Sequence, residues 1–293
     1  MKRILVTGAS GMLGSYLANY LKADYDVYAA GNSYFDQQFE KYLKFDLKSN
    51  CYKELINWSK PEFVVHCAAM TNGNECEKNP QVANLVNGYS VKKLCSSVPS
   101  ETTIIYISSD AVFSPSLVMA NEENEPKPES SYGKSKLLGE NYLNDLLQNY
   151  YIIRTTIVGT NINRNKKSFV DWIIDSSLNR KTISLFDDVI FNPIAIWDLC
   201  CELKFIIESK IDPGTYHISG SEPISKYDFG IKILNELNYS SKNIVKGSID
   251  DFEDRAKRSK DQTLDSSKYT NLTGRELPNI NETIASFRLK LFV

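Results

Sequence analysis

The sequence has few residues of the kinds that bind metals or form disulfide frameworks. Its 293 residues include only two histidines, His66 and His217, and its six cysteines are irregularly spaced with no CxxC motif. Zinc sites need closely spaced thiolates and imidazoles, and disulfide frameworks need regularly spaced cysteines in a short chain. We therefore expect neither a metal site nor a disulfide framework.

The chain also lacks a charge excess and a long apolar run. Its formal net charge is -2, which gives no electrostatic reason to expect nucleic acid or an anionic membrane as partner. No stretch approaches the ~18 apolar residues of a membrane span, and the apolar run near the start is too short for a signal peptide. We expect a cytoplasmic protein, and we interpret Lys166 and Lys167 as solvated surface.

What is present is an alternation of short apolar runs with longer segments of helical period, which is typical of βαβ units. The candidate strands are residues 3–6, 25–29, 63–66, 103–107, 151–154 and 182–185, and the candidate helices are 12–21, 81–95 and 135–147. The pattern predicts an α/β fold with a Rossmann-type, doubly wound parallel sheet. We assign 1–155 to an NAD(P)-binding domain and 156–293 to a smaller substrate-binding lobe, with segments that can interleave with the first domain.

A glycine-rich turn, VTGASGMLG, joins the first candidate strand to the first candidate helix. Glycine permits a tight turn and lets backbone N–H groups approach a diphosphate, whose charge is stabilised at a helix N-terminus. Between a strand and a helix, this spacing predicts a dinucleotide site. Its expected cofactor contacts are Gly8, Ser10, Gly11, Met12, Leu13 and Gly14.

The second candidate strand is followed by Asn32 and Ser33 and has no carboxylate at its end. An acid there would hold the ribose hydroxyls of NAD and repel a 2′-phosphate, whereas these two side chains can donate hydrogen bonds to that phosphate. We therefore predict a slight preference for NADP(H) over NAD(H). Further cofactor contacts are predicted at Asp46, Leu47, Cys67, Ala68 and Ala69.

Tyr132 and Lys136 form one of two Tyr-x-x-x-Lys matches, and the other begins at Tyr89. Because about one or two matches are expected by chance, the context must separate them. Tyr132 begins a helix, so Lys136 lies on the same face, and the preceding strand ends near Ser109. A cation one turn away favours the phenolate and would lower the pKa of the tyrosine. We predict a proton-transfer pair, with Ser109 placed to hold a substrate oxygen.

These residues, together with later segments, resemble the extended short-chain dehydrogenase/reductases and, within them, the dTDP-4-dehydrorhamnose reductase family. The likeness covers nearly the whole chain. It lies in VTGASGMLG at 6–14, HCAAMTNGNECEKNP at 66–80, VNG at 86–88, SSDAVF at 108–113, YGKSK at 132–136, IIRTTIVG at 152–159, NPIAIWDL at 192–199 and RSKDQTLDSSK at 258–268.

The resemblance implies an NAD(P)H-dependent reduction of the 4-keto group of a nucleotide-activated 6-deoxy sugar. Tyr132 would be the proton donor, Lys136 would lower its pKa and bind ribose, Ser109 would hold the carbonyl, and Asn87 would organise the proton relay. Substrate contacts are implied at Thr71, Asp110, Arg154, Asn192 and Arg258. A homodimer is a possible assembly, since the Tyr132 helix is often near a dimer contact in this fold class.

The sequence departs from the family pattern at positions that would face the sugar. Ala111 stands where tyrosine is usual and Ile157 where tryptophan is usual, so the hexose can differ from 4-dehydrorhamnose. Two alternatives stay open. One is a sugar-nucleotide epimerase or dehydratase with tightly bound NAD, and the other is a non-catalytic, cofactor-binding regulatory subunit resembling the β-subunit of methionine adenosyltransferase.

Overall fold

The computed structural model describes residues 1–34, 39–163, 166–209, 211–251 and 259–291. Within them the strands are, in chain order, β1 (Arg3–Thr7), β2 (Asp26–Gly31), β3 (Tyr42–Lys44), β4 (Phe63–His66), β5 (Thr103–Ile107), β6 (Tyr150–Arg154), β7 (Ile157–Val158), β8 (Ile183–Phe186), β9 (Ile190–Phe191), β10 (Ile194–Ala195), β11 (Gly214–His217), β12 (Ile224–Ser225), β13 (Ile244–Gly247) and β14 (Asp261–Gln262). The α-helices are α1 (Met12–Leu21), α2 (Tyr52–Ser59), α3 (Gly73–Lys78), α4 (Pro80–Ala83), α5 (Ser90–Cys95), α6 (Ser131–Leu146), α7 (Phe169–Leu178), α8 (Ile196–Glu208), α9 (Lys226–Glu236), α10 (Ser267–Thr273) and α11 (Ile280–Leu291).

The main sheet has seven strands in the described chain, in the order β11-β6-β5-β4-β1-β2-β3, and every neighbouring pair is parallel. From β1 the chain adds β2 and β3 on one side, and then β4, β5, β6 and β11 on the other. The strand order therefore reverses between β1 and β4, which is where open sheets of this kind bind ligands beyond the carboxyl ends of their strands. The predicted Rossmann-type α/β fold is confirmed.

The strands of the main sheet are buried on both faces. Ile4, Leu5 and Val6 follow one another in β1 and are each 0% exposed, as expected for a parallel sheet covered by helices on both sides. On α1, Leu17 and Leu21 lie on one stripe with i,i+4 spacing and are also fully buried. Burying each leucine side chain contributes roughly 1.5–3 kcal/mol of transfer free energy. This packing fixes the first strand and helix, and with them the turn that joins the two.

A smaller layer follows β6 and is built from short strands. β10 pairs with β7, β9 lies between β12 and β14, and β13 pairs with β8. The candidate strand at 182–185 exists as β8, but it belongs to one of these small sheets. β11 returns to the edge of the main sheet beside β6. The sheet thus takes a strand from beyond residue 155, while the boundary itself stays a prediction.

Two predicted helices differ from the observed ones: the first is interrupted, and the second begins earlier than predicted. The segment 81–95 is interrupted by a π-helical turn, Asn84–Tyr89, between α4 and α5. A Cβ on Gly88 in this turn would lie 2.5 Å from Leu138, so glycine allows α6 to approach closely. The segment 135–147 forms α6, which begins four residues earlier, at Ser131, because Ser130 caps it by accepting a hydrogen bond from the Gly133 N–H at 3.0 Å.

Candidate functional site

A cavity of about 930 Å³ opens at the carboxyl ends of β1, β4, β5 and β6, around the reversal of strand order. The structure brings most of the predicted site residues together in its lining. Those that line it are Gly8, Ser10, Gly11, Met12, Leu13, Gly14, Asn32, Asp46, Leu47, Cys67, Ala68, Ala69, Thr71, Ser109, Asp110, Tyr132 and Lys136. In the described part of the chain, no cluster of His, Cys, Asp or Glu could hold a metal ion, and no helix is long and apolar enough to span a bilayer.

The glycine turn fits a diphosphate. Gly8 has φ +72°, and a Cβ there would lie 2.6 Å from the backbone N of Ala68. A Cβ on Gly14 would lie 2.4 Å from the carbonyl oxygen of Gly8. The N-terminus of α1 has Gly11 at its cap and receives no side-chain hydrogen bond. Its first N–H groups therefore face the cavity without a protein cap, which is the arrangement that stabilises a phosphate at a helix N-terminus.

Beyond the end of β2, the cavity is lined by an amide, a carboxylate and an ammonium. Asn32 at the end of β2 lines the cavity beside Asp46 and Lys48. Ser33 does not line it, although its hydroxyl is buried and has no hydrogen-bond partner among the described residues. The backbone carbonyl of Ser33 accepts a 2.6 Å hydrogen bond from the Tyr42 hydroxyl, which holds the turn after β2 in place.

The start of α6 lies against the turn that follows β5. A Cβ on Gly133 would lie 2.0 Å from the carbonyl oxygen of Ala111, so glycine is required for this approach. The approach brings Tyr132 near Ser109, whose hydroxyl favours the phenolate and so opposes the rise in the pKa of Tyr132. The Ser109 hydroxyl also donates to Asp110 Oδ1 at 2.8 Å and accepts from the Ala111 N–H at 3.2 Å. The two predicted catalytic hydroxyls are therefore neighbours.

Lys136 is 2% exposed and lies beneath the end of β5. Its Nζ donates to the carbonyl oxygen of Ile107 at 2.7 Å and lies 3.9 Å from the ring centroid of Tyr106. Burial lowers the pKa of Lys136 to about 7, and the negative charge of Glu140 only partly opposes this. The sheet thus holds the Lys136 side chain in place, and the lowered pKa means that its charged form is less favoured near neutral pH.

The pKa of Tyr132 shifts in the direction opposite to the one predicted from the sequence. Burial and the neighbouring Asp110 carboxyl raise it, and the Ser109 hydrogen bond opposes them. The prediction counted the cation one turn away but not the loss of solvent around the phenol. In this environment Tyr132 is therefore a protonated phenol at neutral pH. The pKa of Asp110 is also raised by burial, against the Ser109 hydrogen bond and the charge of Lys226.

Asn87 does not line the cavity, but its side chain hydrogen-bonds the backbone of Met70, which does. Its Oδ1 accepts the Met70 N–H at 2.7 Å, and its Nδ2 donates to the Met70 carbonyl at 3.0 Å and to Ser135 Oγ at 2.9 Å. The backbone carbonyl of Asn87 accepts from the Tyr106 hydroxyl at 3.2 Å. The side chain thus joins the segment after β4 to α6, and its predicted role in a proton relay stays a prediction.

Arg154 and Asn192 were predicted as substrate contacts, but the structure does not bring them to the cavity. Arg154 forms a buried ion pair with Glu140, with contacts of 3.1 Å from Nε and 2.7 Å from Nη2. Asn192 is 2% exposed and joins three backbone segments, since its Oδ1 accepts from the Leu264 N–H and its Nδ2 donates to the carbonyls of Gly220 and Leu264. The polar groups of both side chains are therefore bound to other parts of the protein and do not reach a substrate in the cavity. Arg258 lies outside the described residues.

Several residues in the cavity lining were missed in the sequence, among them Thr155, Lys166 and Lys226. Thr155, just after β6, has a buried hydroxyl with no hydrogen-bond partner in the described chain. Lys226 at the start of α9 lies with its Nζ 3.2 Å from the ring centroid of Phe191. Lys166, interpreted as solvated, contacts Ser10 of the glycine turn. Thr155 follows a predicted strand end and could have been found there, whereas the two lysines come from the irregular second half.

The second Tyr-x-x-x-Lys match is not part of the site. Tyr89 is 42% exposed, packs against Tyr142 with ring centroids 5.9 Å apart, and does not line the cavity. Lys93 donates to the backbone carbonyls of Lys48 and Ser49. His66 is a core residue: its Nδ1 lies 2.8 Å from Thr7 Oγ1, and burial lowers its pKa to about 3, so the ring is neutral.

The seven-stranded sheet, the glycine turn and the Ser109–Tyr132–Lys136 arrangement define the class of this protein as an extended short-chain dehydrogenase/reductase. A family model described as the RmlD substrate binding domain matches residues 1–291, and the chain belongs to that family.

Individual relatives agree with this assignment. The crystal structure of dTDP-4-dehydrorhamnose reductase from Bacillus anthracis in complex with NADP superimposes with a TM-score of 0.87, at 27% identity, over 99% of this chain and 100% of that one. The probable low-salt glycan biosynthesis reductase Agl14 of Haloferax volcanii is 27% identical over 289 residues, covering 96% of this chain and 95% of the relative. The methionine adenosyltransferase 2 subunit beta of Xenopus laevis is 28% identical over 250 residues, covering 83% and 74%.

Proposed function

We propose that this protein reduces the 4-keto group of a nucleotide-activated 6-deoxy sugar, with a nicotinamide cofactor as hydride donor. The observation that carries the proposal is the meeting of Ser109, Tyr132 and Lys136 in one cavity with the glycine turn. The relatives named as reductases support it, because a dTDP-4-dehydrorhamnose reductase with bound NADP shares the fold over nearly the whole chain.

When bound, the cofactor supplies the hydride, and the chain supplies orientation and a proton. Tyr132 is suited to give that proton to the substrate oxygen, because its raised pKa keeps the phenol protonated at neutral pH. Ser109 lines the same cavity as Tyr132 and donates to Asp110, so its hydroxyl can hold the substrate oxygen once its proton turns away from the carboxyl. Lys136, fixed on the carbonyl of Ile107, is placed to bind ribose and to balance the charge left on the phenol.

The reductase proposal is tested by turnover. The purified protein is mixed with NADPH or NADH and with a panel of dTDP- and UDP-linked 4-keto-6-deoxy sugars, and cofactor oxidation is followed by absorbance. We expect oxidation that depends on one of these sugars. Absence of turnover with every sugar and both cofactors would contradict the proposal, and purified protein saturated with NAD would favour the epimerase or dehydratase alternative.

For the cofactor we propose a modest preference for NADP(H). Asn32 and Lys48 line the cavity beyond β2 and can both donate to a 2′-phosphate. Asp46 lies in the same region and would oppose that phosphate, but Lys48 pairs with it at 3.6 Å and reduces its effect. Titrations should give a dissociation constant several-fold lower for NADPH than for NADH. Replacing Lys48 with methionine should remove most of the difference, and equal affinities in the wild type would contradict the preference.

A second candidate function is a regulatory subunit that binds the cofactor and acts through a partner protein. The match to a methionine adenosyltransferase subunit over 83% of this chain favours it, as does Ile157, which lines the cavity where the family usually has tryptophan. Cofactor binding without turnover, together with a stable stoichiometric complex with a methionine adenosyltransferase catalytic subunit, would support this function over the first. Turnover of a keto sugar with no such complex would exclude it.

A further inference from the structure

Lys166 lies in the segment between β7 and α7, in the second half of the chain, yet its side chain contacts the glycine turn at the start. Its Nζ donates to the Ser10 carbonyl oxygen at 3.1 Å and lies 3.5 Å from Ser10 Oγ. Both Lys166 and Ser10 line the cavity. The contact therefore places an ammonium beside the turn whose glycines admit a diphosphate.

This ammonium has neutral partners. The residue as a whole is exposed, its contact with Ser10 is partly buried, and the ion pairs of the described residues do not include it. Its neighbour Lys167 pairs with the Asp175 carboxylate, and Lys204 pairs with Asp24. An ammonium held by a neutral carbonyl and a hydroxyl can exchange them for an anionic ligand, because a charge-assisted hydrogen bond is stronger than one to a neutral acceptor.

Two independent features thus favour an anion at the same place. The N-terminus of α1 carries unsatisfied N–H groups and the positive end of the helix dipole, and Gly11 at its cap contributes no side chain. The ammonium of Lys166 is held by Ser10, the residue immediately before that cap. Tyr132 and Ser109, which would meet the sugar, lie instead beyond β5, on the other side of the strand-order reversal.

We propose that Lys166 is a ligand of the cofactor diphosphate, contributed by the segment between β7 and α7. The Ser10 oxygens hold the ammonium next to the turn. With a dinucleotide bound, a diphosphate oxygen accepts a charge-assisted hydrogen bond from the same ammonium. The inference rests on the proposed function only in requiring that a dinucleotide binds at the glycine turn.

The test compares Lys166→Met with Lys181→Met, which removes an equal charge from an exposed position after α7. Dissociation constants for NADPH, ADP-ribose and dTDP are measured by calorimetric titration of the folded variants, with circular dichroism to confirm the fold. Losing one charge-assisted hydrogen bond should weaken NADPH and ADP-ribose about tenfold or more in Lys166→Met, leave dTDP unchanged, and have little effect in Lys181→Met. Lys166→Arg keeps the charge and should recover most of the affinity.

Unchanged affinity for NADPH and ADP-ribose in Lys166→Met would overturn the inference. So would a loss confined to dTDP, which would assign the lysine to the diphosphate of the substrate. A loss that Lys166→Arg does not recover would also overturn it, because a cationic contact tolerates that exchange better than a packing contact. The readout is binding, so a wild-type protein that reduces no sugar would refute the reductase proposal and leave this test intact.

Discussion

Replacing Arg154 with methionine should lower the free energy of unfolding by about 3–5 kcal/mol. The guanidinium donates to both carboxylate oxygens of Glu140, and the two side chains are 7% and 1% exposed. Without Arg154, the Glu140 carboxylate stays buried and keeps the Ser108 hydroxyl, 2.5 Å away, as its hydrogen-bond donor among the described side chains. The loss arises because the buried Glu140 charge loses its ion-pair partner and keeps only its interaction with the Lys136 ammonium, and not from a missing contact with substrate.

Urea unfolding of the ligand-free protein measures the effect, with Lys204→Met as control. Lys204 pairs with Asp24 at the surface, where the carboxylate side chain is 50% exposed, so its loss should cost about 0–1 kcal/mol. The double variant Arg154→Met with Glu140→Leu removes both charges and should be more stable than Arg154→Met alone. If Arg154→Met costs no more than Lys204→Met, or if the double variant is the less stable one, the reasoning is refuted.

Three further predictions concern the cavity. Gly14→Ala should weaken NADPH binding at least about tenfold, because its Cβ would lie 2.4 Å from the Gly8 carbonyl oxygen and displace the turn; titration checks this, and wild-type affinity would contradict it. Ser109→Ala should lower kcat about 10²-fold while Ser109→Thr keeps most activity; equal rates of sugar reduction in the two variants would count against a role for the hydroxyl. Because the pKa of Lys136 falls from 10.5 to about 7 on folding, the unfolded chain binds more protons between these values. The stability of wild type relative to Lys136→Met should therefore rise with pH across that window, and urea unfolding that shows a flat difference would contradict the shift.

Local patterns in the sequence were sufficient for the glycine turn and for five strands of the main sheet, whereas β3 and β11 were not predicted. The strands at 63–66 and 103–107 have the predicted bounds, because continuous apolar runs are what a doubly covered parallel sheet requires. The turn from Gly8 to Gly14 was predictable because the positive φ of Gly8 and the close approach of Gly14 to the Gly8 carbonyl both arise within a few residues of chain. The start of α6 at Ser131 was predicted less well: the Ser130 cap begins the helix four residues before the candidate helix at 135–147.

Contacts between distant segments were not predictable from such patterns. Arg154 pairs with Glu140 on α6, and Asn192 joins the backbone of Leu264, so neither is available to a substrate. Lys166 lies 156 positions from its partner Ser10. The pKa of Tyr132 depends on how deeply the phenol is buried, which i,i+4 spacing does not report.

The central claim is that Tyr132 donates the proton in a sugar reduction, and the paired variants Tyr132→Phe and Tyr89→Phe test it most directly. Each removes one phenolic hydroxyl from a Tyr-x-x-x-Lys match, but Tyr89 lies outside the cavity and is 42% exposed. NADPH affinity and the rate of keto-sugar reduction are measured for both variants and the wild type. The account predicts unchanged affinity in both, no measurable reduction by Tyr132→Phe, and wild-type reduction by Tyr89→Phe. Equal rates of reduction in the two variants would contradict it.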